Sequence, residues 1–295
     1  MKRSRFLMMA AVLVLAGACS KEEGATPATD TPPGPPLEAE TRMNVSYGPD
    51  PQQVYDLYLP AGRSAANTKV IVLIHGGGWV EGDKTDMDSV ALYLRQQHPL
   101  HAVANINYVL ADSGVTKAFP YQFLDLGAVL DQLDAQHQEL QVKPEFALVG
   151  VSAGAHIAMI YDNVYDAQDR VKLVANVVGP TDFTDPYYIA NPMLPLAMAL
   201  LTDGSAYPPG TDLARALSPA WQASAQTSPT VMFYGNTDDL VPPSNAYTLD
   251  SVLTGFGVPH QLTLYPGGHG GWAESDMGDM LGQISDWIGQ YLPVE

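Results

Sequence analysis

Residues 146–163 read as a strand, a sharp turn and a helix, and the turn is Gly150-Val151-Ser152-Ala153-Gly154. This G-x-S-x-G pattern constrains everything around it. Phe146-Ala147-Leu148-Val149 is a short apolar run entering the turn, and Ala155 to Asn163 supplies a plausible helix leaving it. Glycines on either side let backbone pass where a β-carbon would clash, so the serine oxygen is lifted clear of the sheet. By itself the pentapeptide is weakly specific. Its meaning depends on what else the chain brings to the same edge.

The strand before Ser152 is one of a series. Met43 to Gly48 and Val54 to Leu59 read as two opening strands joined by the turn residues Pro49, Asp50 and Pro51. Lys69-Val70-Ile71-Val72-Leu73-Ile74 is a continuous β-branched run suited to burial on both faces, and Ala102 to Tyr108 reads the same way. Lys172–Val178, Thr230–Tyr234 and Gln261–Tyr265 complete eight candidate strands. Helical spacing appears at Leu126, Val129, Leu130 and Leu133, and again along Met277, Met280, Leu281, Ile284, Trp287, Ile288 and Tyr291. Strands alternating with helices predict an α/β fold: a mostly parallel eight-stranded sheet, helices on both faces, and an antiparallel pair at the start.

Three further stretches give Ser152 company. His75-Gly76-Gly77-Gly78-Trp79 directly follows a predicted strand, and its glycines free backbone N–H groups to converge on one point. Acyl transfer needs such donors where an oxyanion develops. Tyr234-Gly235-Asn236-Thr237-Asp238-Asp239-Leu240-Val241-Pro242 puts carboxylates at the C-terminal end of another strand, the edge where open α/β sheets bind ligands. Asp238 is the candidate for orienting a histidine, and Asp239 reads as a solvated neighbour. Tyr265-Pro266-Gly267-Gly268-His269-Gly270-Gly271 holds a histidine in a flexible loop after the last strand, suited to a general base. His75 and His156 are its rivals, but their positions suit shaping the glycine loop and packing the helix after Ser152.

The order Ser152, Asp238, His269 is that of α/β-hydrolase triads. With "HGGGW" at 75–79, "GDK" at 82–84, "NINYVL" at 105–110, "FP" at 119–120 and "GVSAGAH" at 150–156, the chain resembles α/β-hydrolases of the esterase/lipase type from about Arg42 to its end. These features are similar to bacterial carboxylesterases and to arylformamidases of the kynurenine formamidase type. The resemblance implies that Ser152 is the nucleophile, His269 the base and Asp238 the acid, through G-x-x-D-x-x-V-P. It also implies an oxyanion hole built from the N–H groups of Gly77, Gly78 and Ala153. Val109 and Asp112 stand where relatives often carry arginine and proline, which leaves the substrate open.

Segment 181–220 is too long for a simple loop and carries the apolar run Pro192 to Leu201. It reads either as a small cap lining an acyl pocket, with Trp79, Met193 and Leu194 as walls, or as an ordinary crossover helix packed on the sheet.

At the start, Lys2, Arg3 and Arg5 precede the apolar run Phe6–Leu15, as in a secretory signal. Leu15-Ala16-Gly17-Ala18-Cys19 resembles the end of a bacterial lipoprotein signal. The expectation is a signal peptide at 1–18, lipid on Cys19, a Pro/Thr-rich tether at 19–41, and one hydrolase domain at 42–295, in a bacterial cell envelope. Cys19 is the single cysteine, so the domain holds no disulfide. A net charge of −18 argues against nucleic acid or an anionic membrane surface as partner, leaving the membrane reached only through the anchor. No dinucleotide fingerprint, P-loop or metal-ligand spacing is present, so neither cofactor nor metal is expected. Oligomeric state is not legible. The reading is a serine hydrolase of short-chain or aryl carboxylic esters, a small-molecule substrate; its alternatives are an amidase or arylformamidase, and a catalytically inactive hydrolase fold used for binding.

Overall fold

The β-branched run at 70–74 becomes strand β3 (Val70–Ile74), every residue of it buried. This computed structural model describes residues 36–112, 115–191 and 193–295. The other strands are β1 (Glu40–Ser46), β2 (Val54–Leu59), β4 (Ala102–Ile106), β5 (Phe146–Val151), β6 (Val171–Val177), β7 (Thr230–Gly235) and β8 (His260–Tyr265). They form one sheet in the order β1-β2-β4-β3-β5-β6-β7-β8. β2 pairs antiparallel with both β1 and β4, and every later neighbour pair is parallel. This is the α/β-hydrolase fold.

Parallel neighbours need long crossovers, and here helices supply them. In chain order the helices are α1 (Asp88–Gln97), α2 (Tyr121–Ala135), α3 (His137–Leu140), α4 (Ala153–Ile160), α5 (Pro186–Ile189), α6 (Met193–Leu201), α7 (Leu213–Ala216), α8 (Pro219–Gln222), α9 (Pro243–Phe256) and α10 (Glu274–Tyr291). Side chains alternate across a strand, so β3 feeds two cores. Val70, Val72 and Ile74 pack with residues of α2, α4 and α9, while Ile71 and Leu73 pack with residues of α1 and α10. Each such side chain contributes roughly 1.5–3 kcal/mol on full burial. That is why a strand covered on both faces reads as an unbroken apolar run.

Several boundaries differ from the sequence reading. β1 starts at Glu40, inside the stretch assigned to the tether, where Glu40 pairs with Leu59 of β2 and its carboxylate takes Arg42 at 2.6 Å and Arg63 at 3.1 Å. Helices α1 and α9 were not singled out by periodicity; α1 buries only Ala91 and Leu94, too few for a legible stripe. The expected signal peptide, Cys19 and the expected tether up to residue 35 lie outside the described residues. Among the described residues no helix is long and apolar enough to cross a membrane.

Segment 181–220 holds four short helices, α5 to α8, rather than one crossover helix. Leu201 is buried at the end of α6, whereas Met193, Leu196 and Leu200 are exposed. Such a helix does not pack into the sheet as a core element.

Candidate active site

The site begins with register. Ile74 of β3 pairs with Gly150 of β5, so the segments following both strands emerge side by side. Helix α4 then packs directly against the end of β3. A β-carbon on Gly154 would lie 2.2 Å from the Ile74 carbonyl oxygen and 2.4 Å from that of His75, which only glycine avoids. Ser152 sits between strand and helix at φ 52° and ψ −116°, the strained backbone of a sharp turn. Its N–H donates to the Val177 carbonyl at 2.7 Å, tying the turn to β6.

Two loops from adjacent parallel strands complete the line of polar groups. Ser152 Oγ lies 2.9 Å from His269 Nε2, and His269 Nδ1 lies 2.7 Å from Asp238 Oδ2. Asp238 is buried, and its Oδ1 accepts from the N–H groups of Leu240 and Val241, each at 2.9 Å. A carboxylate so held can only accept, so Nδ1 carries the imidazole proton and Nε2 is free to accept from the serine. Asp239 is exposed, and its carbonyl accepts from the Tyr187 hydroxyl. The two loops lock together: the Thr237 N–H donates to the Gly267 carbonyl at 2.9 Å.

The glycine loop faces the serine from β3. Gly77 has φ +111°, and a β-carbon there would fall 2.0 Å from the Glu81 carbonyl oxygen. Its carbonyl accepts from the N–H groups of Val80 and Glu81, which folds the loop back on itself. Among the described residues, the N–H groups of Gly77, Gly78 and Ala153 donate to no protein acceptor. Below the loop, His75 stacks on Tyr108 with ring centroids 4.3 Å apart, and its Nδ1 donates to the Gly76 carbonyl at 2.6 Å. Burial pushes its pKa below the usual histidine value. A buried ion pair, Lys84 to Asp56 at 2.8 Å, anchors the "GDK" turn to β2.

Ser152 opens onto an apolar cavity of about 170 Å³ walled by Trp79, Phe183, Tyr188, Met198, Leu201 and Leu240, among others. Met193 does not line it. That side chain is exposed and belongs to a neighbouring groove with Tyr187 and Asn191, because it precedes Ala197 by a full turn at the outer end of α6. The Leu194 side chain lies outside those described. Met198 and Leu201 stand within the apolar run read as a possible pocket wall, whereas Phe183 and Tyr188 were missed, since no motif offered a signal for them. Leu240 and Val241 did stand within the quoted acid-loop motif. A larger cleft of about 790 Å³ lies at the N-terminal ends of β6 and β7, between Asp162, Thr227 and Tyr291, on the opposite edge from Ser152. Among the described residues, no three His, Cys, Asp or Glu side chains group as metal ligands.

This arrangement holds a hydroxyl, an imidazole and unengaged N–H donors around one apolar recess. Its relatives are consistent in fold. An isoprenylcysteine alpha-carbonyl methylesterase of Arabidopsis thaliana is 20% identical over 77% of this chain, which spans 56% of that relative's length. The bifunctional GH43-CE protein of Bacteroides eggerthii superposes with a TM-score of 0.70 at 21% identity, covering 85% of this chain and 35% of its own. The butyrate-bound thermophilic esterase of the planctomycete Thermogutta terrifontis superposes with a TM-score of 0.68 at 19% identity, covering 87% of this chain and 95% of its own. Residues 55–253, from β2 into the last turn of α9, match the family described as BD-FAE, and the chain belongs to that family.

Proposed function

We propose that this chain is a serine hydrolase of short-chain or aryl carboxylic esters. The observation that carries the reading is the unbroken series from Ser152 through His269 to Asp238, opening onto an apolar recess beside unengaged N–H groups. Ser152 Oγ attacks the ester carbonyl carbon as its proton passes to His269 Nε2. The carbonyl oxygen becomes an oxyanion facing the N–H groups of Gly77, Gly78 and Ala153. Imidazolium Nε2–H then protonates the departing alkoxide. Water, deprotonated by the same nitrogen, attacks the acyl carbon, and Nε2 returns that proton to Ser152 Oγ as the acyl bond breaks and the acid leaves. Asp238 fixes the tautomer and offsets the positive charge on the ring throughout.

The size of the recess favours a small acyl group, as does the likeness to an esterase captured with butyrate. The test compares kcat/KM for p-nitrophenyl acetate and butyrate with N-formylkynurenine and a peptidyl anilide. Short esters are expected to lead; a lead for the formamide would replace the ester reading by the arylformamidase one. Ser152→Ala should reduce kcat by about 10⁶ with the fold intact, and retained turnover would remove Ser152 from the mechanism.

For the N-terminus we propose export, removal of residues 1–18 and lipid attachment at Cys19, supported by the basic n-region and Leu15-Ala16-Gly17-Ala18-Cys19. Wild-type protein made in a bacterium should partition with detergent and Cys19→Ser should not. A fully soluble wild type cleaved after Ala18 would favour a simple signal peptide.

A further inference from the structure

Trp79 follows the three glycines at φ +68°, a left-handed conformation that few residues other than glycine adopt. Its main chain is held there by two bonds: its carbonyl accepts from the Ala111 N–H at 2.9 Å and from Gln122 Nε2 at 2.8 Å. The indole needs its own anchor, and that anchor is His156. Indole Nε1 can only donate, and it lies 3.2 Å from His156 Nδ1. On the other side of the ring, Nε2 lies 2.8 Å from the Leu217 carbonyl, which can only accept. Both bonds exist together in one protonation state, the neutral ring with its proton on Nε2. The site enforces that state, since His156 is fully buried against the edges of Phe119, Phe123 and Phe183, with centroids 5.3–5.5 Å away.

We propose that His156 is a positioning residue that sets acyl selectivity by holding the Trp79 indole as a fixed wall of the cavity at Ser152. Its backbone N–H donates to the Ser152 carbonyl at 3.1 Å, but its ring bonds only Trp79 and Leu217, and Trp79 and Phe183 are the links between the ring and the cavity. The inference rests on the ester-hydrolase reading of that cavity. With the indole bond lost, the wall yields and longer acyl groups gain access.

Two substitutions separate the two bonds of the ring. Asparagine carries its amide oxygen near the place of Nδ1 and can accept from the indole, while glutamine carries its amide nitrogen near the place of Nε2 and can donate to Leu217. His156→Asn should therefore keep the acyl preference, whereas His156→Gln should raise the ratio of kcat/KM for p-nitrophenyl hexanoate over acetate about ten-fold, the scale on which apolar pockets discriminate methylenes. Amide-proton NMR supplies a readout independent of turnover. The Trp79 Nε1–H resonance, assigned with Trp79→Phe, should exchange at least about ten-fold faster in His156→Gln than in wild type or His156→Asn. If His156→Gln fails to fold, Trp79→Phe, which retains the Leu217 bond, should show the same shift in ratio. Equal acyl ratios in the two His156 variants, or an indole proton unaffected by His156→Gln, would overturn the proposal. A freed indole proton together with no ester turnover by wild type would instead overturn the ester reading and, with it, the acyl role.

Discussion

The turn around Ser152 and segment 181–220 meet at one cavity but are built on opposite terms. At the turn, backbone touches backbone: Gly154 has no room for a methyl group, Ser152 is pinned to β6, and His269 and Asp238 are bonded in series. In segment 181–220, helix α6 shows Met193, Leu196 and Leu200 to the outside, and a β-carbon added at Gly204 would meet nothing within 4 Å. The turn is fixed by close approach of backbone, whereas in 181–220 Thr181, Asp185 and Ser218 are held by buried hydrogen bonds and α6 between them presents apolar side chains. The difference implies that substitutions at the turn fail through geometry, and those on α6 change selectivity first.

After Ser152→Ala, the largest effect is expected where the line of bonds is broken without changing shape. Asp238→Asn leaves the loop packed but can stabilise the wrong imidazole tautomer, so kcat should fall by about 10⁴. Asp239→Asn, which alters an exposed neighbour, should stay within about two-fold of wild type. A reversal of that order would mean that the acid loop has been assigned one residue out of register.

Next comes close packing itself. Gly154→Ala drives a methyl group into two carbonyl oxygens, and overpacking against backbone that cannot move should cost about 3 kcal/mol or more. Gly204→Ala, in open space, should change stability by less than about 0.5 kcal/mol. Urea unfolding of both variants makes the measurement. Similar losses at the two glycines would end the contrast between the regions.

These same features explain what was legible in the sequence. Chemistry at Ser152 requires particular residues in fixed local order, because each must fit a strand end, a turn or a hydrogen bond. So the strands, the glycine loop, Asp238 and His269 could be read directly, and the structure brings those residues together. The cavity wall could be read only in part: Trp79 and the apolar run were legible, the inward-facing residues of the run were not. Met193-Leu194-Pro195-Leu196-Ala197-Met198-Ala199-Leu200-Leu201 is apolar on every side, so its periodicity cannot say which face turns inward. Met193 and Met198 are chemically the same choice, and only the docking of α6 distinguishes them. Phe183 and Tyr188 were hidden for a similar reason: an aromatic wall needs bulk, which leaves no motif. Glu40 joins the sheet by pairing with Leu59, nineteen residues on, which no local pattern records.

Acid should loosen the Ser152 side of the molecule through His156. Burial pushes that imidazole down to about 4, below the histidine reference of 6.5. A folded-state value below the unfolded one means that the stabilisation is complete above about pH 6.5 and lost as pH falls toward 4. The loss from this one group should reach about 2 kcal/mol by pH 4.5. Asp162, raised to about 7 by burial, works in the opposite direction, so the difference between wild type and variant is the informative quantity. Between pH 7 and 4.5, His156→Asn should lose about 2 kcal/mol less stability than wild type in urea titrations. Parallel pH curves for the two proteins would show that His156 does not couple protons to folding.

The smallest effect tests the other half of the contrast. Met198 is half-buried on α6 and lines the cavity, whereas Met232 is fully buried in β7. The same truncation should therefore separate selectivity from stability. Met232→Ala leaves a void among close-packed residues and should cost about 2–5 kcal/mol. Met198→Ala removes atoms facing the cavity, so it should cost less than about 1 kcal/mol and lengthen the recess instead. A methionine wall is flexible and already yields to shape, which limits the gain on removing it. The ratio of kcat/KM for p-nitrophenyl hexanoate over acetate should rise by about five-fold, a step of about 1 kcal/mol in discrimination. A stability loss equal to that of Met232→Ala, with the acyl ratio unchanged, would make α6 a core helix after all and move the substrate wall elsewhere.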